Sequence, residues 1–246
     1  MPEDRSVLTR PAAPADEVAA YGAEPEQIAD VRHGGERAAR RPLVVLIHGG
    51  FWRPDIDRTH TGPMAAALAE AGWTVAAVEY RRVPQRPDLT ADDIALSLKT
   101  LPAKVSGHDG RVLAVGHSAG GHLSLWAASK RPIPQLHGAL ALGAVADLQL
   151  AHQLNLDDGA ALAFLGEEPK ERPDLDPKRM PSPSIATTLV HGDADEVVPL
   201  SLSESYVAAH PQVRLVGVRG AGHFAVIDPL SDAWPIVVGE LERLAR

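Results

Sequence analysis

Short apolar runs alternate along this chain with longer segments in which apolar positions recur at helical spacing. The runs at 27–32, 43–47, 74–80, 111–115, 139–145, 187–190 and 213–218 have the length of strands, and 43–47 is apolar throughout, as in a strand buried on both faces. Segments 60–71, 90–101, 119–129, 200–209 and 231–245 fit helices, with Thr90 as a plausible N-cap and Asp93 three residues later. The alternation predicts an α/β fold with a mostly parallel central sheet and helices on both faces.

Two segments depart from this alternation. Residues 1–26 are rich in proline, alanine and acidic residues, and we predict an irregular N-terminal arm before an α/β domain at 27–246. Residues 147–184 are polar and rich in proline, and they follow a predicted strand. An insertion there lies at the carboxyl end of the strands, where open α/β sheets bind ligands. We expect it to form a small cap or lid.

Composition removes several classes of function. A formal net charge of -8 disfavours nucleic acid and anionic membranes as partners, and the absence of cysteine removes disulfides, thiolate metal sites and cysteine nucleophiles. The N-terminus resembles no signal peptide and the apolar runs are too short to span a bilayer, so we expect a cytoplasmic protein. The abundance of alanine, glycine, arginine and proline suggests a bacterial source, and a homodimer is compatible with the sequence.

A nucleophile motif stands between a predicted strand and a predicted helix. The strand ending at Val115 runs into Gly-His-Ser-Ala-Gly, residues 116–120, and a helical segment follows. The pentapeptide G-x-S-x-G in this setting places a serine on a sharp, strained turn, with the helix N-terminus close to the charge that develops during acyl transfer. Ser118 is therefore the predicted nucleophile, and an inert serine in a glycine-rich turn is the alternative.

A glycine pair follows the earlier buried strand 43–47, in the run His-Gly-Gly-Phe-Trp at 48–52. Loops of this kind supply backbone N–H groups to an oxyanion. We expect the N–H of Gly50 or Phe51 to act together with the N–H of Ala119. His48 is expected to tie the loop down rather than to take part in catalysis.

The acid and the base are expected after the nucleophile, in that order. Asp195 follows the strand at 187–190 and is the predicted acid, with Asp193 and Glu196 as competitors. His223 follows the strand at 213–218 in the run Gly-Ala-Gly-His-Phe and is the predicted base. A cation bound by the acidic loop is the alternative, but no paired metal-ligand spacing occurs in the sequence, so we expect neither a metal nor a cofactor.

Five residues are candidates for the substrate pocket because of their places beside these motifs. Aromatic side chains follow the glycine pair and the base, a histidine precedes the serine, and an aspartate opens the insertion. Plain packing is the competing interpretation for the aromatic residues. The candidates are Phe51, Trp52, His117, Asp147 and Phe224.

The runs HGGFW, GHSAGGHL, HGDADEVVP and GAGHF together resemble the esterase, lipase and arylformamidase branch of the α/β-hydrolases, over roughly residues 21–245. HGG-x-W with GHSAG is similar to kynurenine formamidases. The resemblance implies an α/β-hydrolase fold and the same three catalytic residues. It leaves open a carboxylesterase acting on small esters, an arylformamidase acting on amides of the N-formylkynurenine type, and a non-catalytic binding protein on the same fold.

Overall fold

The computed structural model describes residues 3–131 and 133–246. Eight strands form one sheet in the order β1-β2-β4-β3-β5-β6-β7-β8. Strands β3 to β8 pair in parallel, whereas β2 pairs antiparallel with both β1 and β4, so the predicted mostly parallel sheet is confirmed. The strands are β1 (Glu17–Ala20), β2 (Ile28–Arg32), β3 (Leu43–Ile47), β4 (Val75–Val78), β5 (Val112–His117), β6 (Leu136–Leu142), β7 (Ala186–Gly192) and β8 (Arg214–Val218).

Helices cover both faces of the sheet, which explains the uninterrupted apolar run of β3. Val44 and Leu46 pack in one core with the helices at Gly62–Glu70 and Trp234–Leu244, whereas Val45 and Ile47 pack in the other core with the helices at Pro87–Lys104 and Ala119–Lys130. Each of these four side chains is fully buried, because alternate residues of a strand point to opposite faces. The helices are α1 (Gly62–Glu70), α2 (Pro87–Lys104), α3 (Ala119–Lys130), α4 (Leu148–Gln153), α5 (Ala160–Leu165), α6 (Ser201–Ala209) and α7 (Trp234–Leu244).

The prediction of an irregular N-terminal arm is wrong. Strand β1 lies within it and forms the edge of the sheet, with Val18 paired to Asp30 of β2. A 3-10 helix at Ser6–Thr9 precedes β1, and its Val7 is 1% exposed. At the edge of a sheet one neighbouring strand supplies all the pairing, so four residues with little apolar character are enough to form a strand.

Two predicted boundaries are displaced. Helix α2 begins at Pro87, because the fixed φ of proline suits the first helical turn. Thr90 therefore lies inside the helix rather than at its N-cap, and its hydroxyl donates to the carbonyl of Arg81 at 2.6 Å. Strand β6 starts at Leu136 instead of 139 and ends before Gly143, whose φ of 50° turns the chain out of the sheet.

The predicted insertion at 147–184 contains α4, α5 and the 3-10 helices Pro169–Glu171 and Pro177–Arg179. It packs against the loop that follows β3, where the Phe164 ring stacks on Trp52 with centroids 4.6 Å apart. An ion pair of 2.8 Å joins Asp157 to Arg53 of the same loop. The insertion thus borders the carboxyl end of the strands, and its action as a lid stays a prediction.

Candidate active site

Ser118 lies on a strained turn between β5 and α3. Its φ of 56° and ψ of -117° are rare for any residue with a side chain. Added Cβ atoms at Gly116 and Gly120 would come within 2.0 Å of the Gly120 carbonyl oxygen and 2.1 Å of the Ile47 carbonyl oxygen, respectively. Only glycine fits either position, so the two glycines allow the sharp turn that presents the serine.

The predicted base and the predicted acid are in contact. His223 Nδ1 donates to Asp195 Oδ2 at 2.7 Å, and both side chains are buried. This hydrogen bond leaves the Nε2 lone pair of His223 free to accept a proton. Asp195 lies three residues past the end of β7 and His223 lies five residues past the end of β8. The parallel pairing of these neighbouring strands brings their ends together.

Asp195 has a second partner that the sequence reasoning missed. Nε2 of His191, the fully buried penultimate residue of β7, lies 3.2 Å from Asp195 Oδ2. The backbone N–H groups of Val197 and Val198 donate to the other carboxylate oxygen at 2.9 and 2.7 Å. Burial would raise the pKa of Asp195, but the adjacent imidazole of His191, whose Nε2 also donates to the Val198 carbonyl at 2.8 Å, and the hydrogen bond from His223 outweigh it. They hold the pKa of Asp195 well below its ordinary value. The carboxylate is therefore ionised and fixed.

The two competing acids lie elsewhere. Asp193 is exposed, and its Oδ1 accepts a hydrogen bond from the backbone N–H of Gly220 at 2.6 Å, which ties the loops after β7 and β8 together. Glu196 is also exposed. Among the three acidic residues of this loop, the geometry places only Asp195 against the histidine.

An open cavity of roughly 700 Å³ lies at this end of the sheet. Its lining includes Ser118, His223, His117, Phe51 and Phe224. In the part of the chain that the structure describes, no hydrogen bond joins Ser118 Oγ to His223. The two residues are brought together because they line the same cavity. Such contacts are often long in a site without substrate and shorten when substrate binds.

The glycine loop after β3 lies directly against the serine. An added Cβ at Gly49 would come within 2.9 Å of Ser118 Cβ. Gly50 and Phe51 have φ values of 107° and 47°, and in the described chain neither of their N–H groups donates a hydrogen bond. Ala119 is the first residue of α3, where a helix has no internal acceptor for the N–H. The site thus offers free N–H donors on both sides of the serine.

A buried network holds this loop in place. His48 Nδ1 donates to the carbonyl of Gly49 at 2.8 Å, and its Nε2 lies 3.2 Å from Glu79 Oε1. The Tyr80 hydroxyl donates to the His48 carbonyl at 2.8 Å, and the two rings stack. Burial would raise the pKa of Glu79, but hydrogen bonds with His48 and Arg82 lower it to about 2. His48 ties the loop down, as the sequence predicts.

The pocket candidates divide between the cavity and the interior. Phe51, Phe224 and His117 line the cavity, and His117 Nε2 donates to the backbone carbonyl of His223 at 3.0 Å, which joins the serine turn to the base. Trp52 does not line it, since its ring stacks on Phe164. Asp147 does not line it either.

Asp147 has a structural place at the start of α4. Its Oδ1 accepts from the backbone N–H of Leu150 at 2.9 Å, and its Oδ2 accepts from Lys178 and Ser205 at 2.8 and 2.7 Å. The carboxylate is therefore engaged by the insertion and by α6. The structure corrects the expectation that this residue contacts substrate.

Gly143 and the N-terminal segment are further features that the sequence reasoning missed. An added Cβ at Gly143 would lie 3.2 Å from His223 Nδ1 and 3.4 Å from Asp195 Oδ2. Arg5 and Leu8 line the cavity. No sequence signal marked either feature, since Gly143 falls within the strand predicted at 139–145, and Arg5 and Leu8 are distant in sequence from the serine.

Neither a metal site nor a membrane span emerges from the described residues. Over 3–131 and 133–246, histidine and acidic side chains form no group of three or more suited to a metal ion. No helix in those ranges is both long enough and apolar enough to cross a bilayer.

Known proteins of similar sequence include esterases and formamidases. The BD-FAE family model matches residues 29–209, more than half of the chain. Kynurenine formamidase of Danio rerio is 26% identical over 230 residues, which cover 86% of this chain and 75% of that enzyme. Esterase LipC of Mycobacterium tuberculosis is 24% identical over 239 residues, covering 85% of this chain and 59% of that protein.

Solved structures show the same fold. A truncated carbohydrate esterase from gut microbiota has a TM-score of 0.76 at 17% identity, covering 96% of this chain and 99% of that chain. Esterase B of Lactobacillus rhamnosis has a TM-score of 0.75 at 21% identity, covering 95% and 88%. With this fold and the family match over 29–209, the chain is an esterase- and arylformamidase-like hydrolase of the α/β-hydrolase fold and belongs to the BD-FAE family.

Proposed function

We propose that the chain hydrolyses small carboxylic esters through an acyl-enzyme formed on Ser118. The observation that carries the proposal is the shared cavity, in which a serine on a strained turn lies with a histidine whose Nδ1–H is held by a buried carboxylate. The free N–H groups of Phe51 and Ala119 support it, because they suit a developing oxyanion.

The mechanism is two-step acyl transfer. His223 Nε2 accepts the hydroxyl proton as Ser118 Oγ bonds to the substrate carbonyl carbon, and the carbonyl oxygen becomes an oxyanion that accepts hydrogen bonds from the N–H groups of Phe51 and Ala119. The imidazolium of His223 then gives this proton to the leaving alcohol as the ester bond breaks. Water, deprotonated by the same nitrogen, attacks the acyl-enzyme, and the proton returns to the serine as the acid leaves.

Asp195 contributes by fixing the histidine. Its lowered pKa keeps the carboxylate ionised at neutral pH, so it stabilises the imidazolium that forms in each step. The contacts from His191 and from the backbone of Val197 and Val198 keep it in place without neutralising it.

Amide hydrolysis of the arylformamidase type is the second candidate function. The match to the kynurenine formamidase of Danio rerio over 86% of this chain favours it. Ser118, His223 and Asp195 would have the same roles in this reaction, and His223 would protonate a leaving amine instead of an alcohol.

Turnover and labelling distinguish these functions. We expect a fluorophosphonate probe to label the protein at Ser118 and p-nitrophenyl acetate to be hydrolysed, with Ser118→Ala lowering kcat by about 10⁴-fold or more. Ser106→Ala, which removes an exposed loop serine, is the matched control and should behave as the wild type. N-formylkynurenine assayed beside a series of p-nitrophenyl esters identifies the preferred bond.

Each outcome bears on a different part of the proposal. Near-full esterase activity in Ser118→Ala would refute the nucleophile. A kcat/KM for N-formylkynurenine far above that for every ester would favour the amidase. No labelling and no turnover of either class would point to a binding protein on the hydrolase fold.

A further inference from the structure

The N-terminal segment at 3–10 packs against the loop that carries His223. Glu3 Oε1 accepts a hydrogen bond from the backbone N–H of Phe224 at 3.1 Å. An added Cβ at Gly222 would lie 2.3 Å from the same oxygen, so glycine is what allows this approach. The first residues that the structure describes are thus in contact with the base loop.

The segment is also fixed further along. Val7 is 1% exposed and packs in the core beside α1 and α7. Arg10 forms a two-pronged ion pair with Asp228, in which Nη2 lies 2.9 Å from Oδ2. Contacts at Glu3, Val7 and Arg10 together hold Arg5 between them at a defined place.

Arg5 is held at the mouth of the cavity with its charge available. Its guanidinium carbon lies 5.4 Å from the centroid of the Phe224 ring, and the residue lines the same cavity as Ser118 and His223. Among the described residues no carboxylate forms an ion pair with Arg5. The cavity's other arginine, Arg53, is paired with Asp157.

The acidic residues that line the cavity lie in two other segments, the stretch after the glycine loop and the insertion. Asp157 is paired with Arg53, and Asp57 accepts hydrogen bonds from the N–H and hydroxyl of Thr59. Asp55 is exposed and follows the glycine loop in the chain. Among the described residues, the cavity therefore has a cation without an ion-pair partner next to the base loop, where the Glu3 carboxylate accepts from the N–H of Phe224. The carboxylates that line the cavity lie after the glycine loop and in the insertion.

The geometry points to Arg5 as a specificity-determining residue that binds an anionic group, such as a carboxylate, on the leaving-group part of the substrate. The leaving group departs where His223 protonates it, and Arg5 stacks on the residue that follows His223. A guanidinium forms two parallel hydrogen bonds with a carboxylate and stacks on an aromatic ring at the same time. This inference rests on the proposed acyl transfer and names the class of substrate.

Three acetyl esters of similar size test the inference. They are 4-acetoxybenzoate, which has an anionic leaving group, its neutral methyl ester, and the cationic 4-acetoxy-N,N,N-trimethylanilinium. Each kcat/KM is divided by the rate of hydroxide-catalysed hydrolysis, which removes the intrinsic difference in reactivity. We expect the anionic ester to be preferred, and Arg5→Gln to lower the ratio of anionic to neutral ester about tenfold. Arg5→Lys, which keeps the charge, should retain part of the preference.

Arg40→Gln is the matched control, since it removes an exposed arginine that does not line the cavity, and its ratio should equal that of the wild type. A ratio in Arg5→Gln within twofold of the wild type overturns the inference, as does a wild-type preference for the cationic ester over the neutral one. Either result leaves the esterase proposal standing, because that proposal fails only when none of the three esters is hydrolysed by a Ser118-dependent reaction.

Discussion

A buried carboxylate in the insertion should make the stability of the protein fall as the pH rises. Asp176 is 0% exposed; its Oδ1 accepts from the backbone N–H of Leu148 at 3.2 Å, and its Oδ2 has no hydrogen-bond partner among the described residues. Burial, with a smaller contribution from the charge of Asp147, raises its pKa from 3.8 to about 6. The change to test is Asp176→Asn, which keeps the shape and removes the ionisation.

The size of the effect follows from the two pKa values. The difference between 3.8 and about 6, at about 1.36 kcal/mol for each pKa unit, corresponds to about 3 kcal/mol. Asp176 binds its proton more tightly in the folded state than in the unfolded state. The stabilisation is therefore complete below pH 3.8 and is lost as the pH rises through 6. Between pH 4.5 and 8 the free energy of unfolding of the wild type should fall by about 2 kcal/mol relative to that of the variant.

Urea denaturation of both proteins from pH 4.5 to 8 measures this difference. Replacing the carboxylate by an amide also changes the free energy of unfolding by an amount that does not depend on pH. Comparing the two proteins across the pH range cancels this constant amount. Asp158→Asn, which removes an exposed carboxylate from the same insertion, is the control for the loss of one charge. A difference between Asp176→Asn and the wild type that stays constant across this range would refute the reasoning.

Three further substitutions test the parts of the site. His191→Asn removes the imidazole beside Asp195, and we expect kcat/KM to fall roughly tenfold with a changed acidic limb of the pH–rate profile; an unchanged profile would contradict the role. Gly143→Ala places a Cβ at a φ of 50° and 3.2 Å from His223 Nδ1, so thermal unfolding should show a loss of about 1–2 kcal/mol and kcat should fall. Glu79→Gln removes the buried partner of Arg82 and should cost about 3 kcal/mol in denaturant titrations, together with activity; wild-type values would count against the network.

The central sheet could be predicted because its signal is local. Strand β3 is apolar at every position, and a strand covered on both faces requires this. Strand β1 has no such signal, since Glu17–Ala20 is mostly exposed and is held by its pairing with β2. Pairing between segments depends on the partner, which a local pattern does not contain.

The candidate site shows the same division. The glycines around Ser118 are marked in the sequence because a crowded turn excludes side chains there. The sequence favoured Asp195 as the acid but left Asp193 and Glu196 as competitors, since all three lie within four residues. The placement of Trp52 and Asp147 in the pocket also failed, because nearness in sequence to a motif says nothing about which way a side chain points.

The sequence by itself determined the layered α/β architecture and the order of serine, acid and histidine, because periodicity and chain order are properties of the chain alone. Tertiary structure decided which acid meets His223, that His191 supports that acid, and that Arg5 lines the cavity with Ser118. The first two are contacts between residues 28 and 4 positions apart, and Arg5 lies 113 positions from Ser118. The physical reason is that such contacts arise where the carboxyl ends of parallel strands converge, and convergence depends on strand order and packing, which no local stretch of sequence encodes.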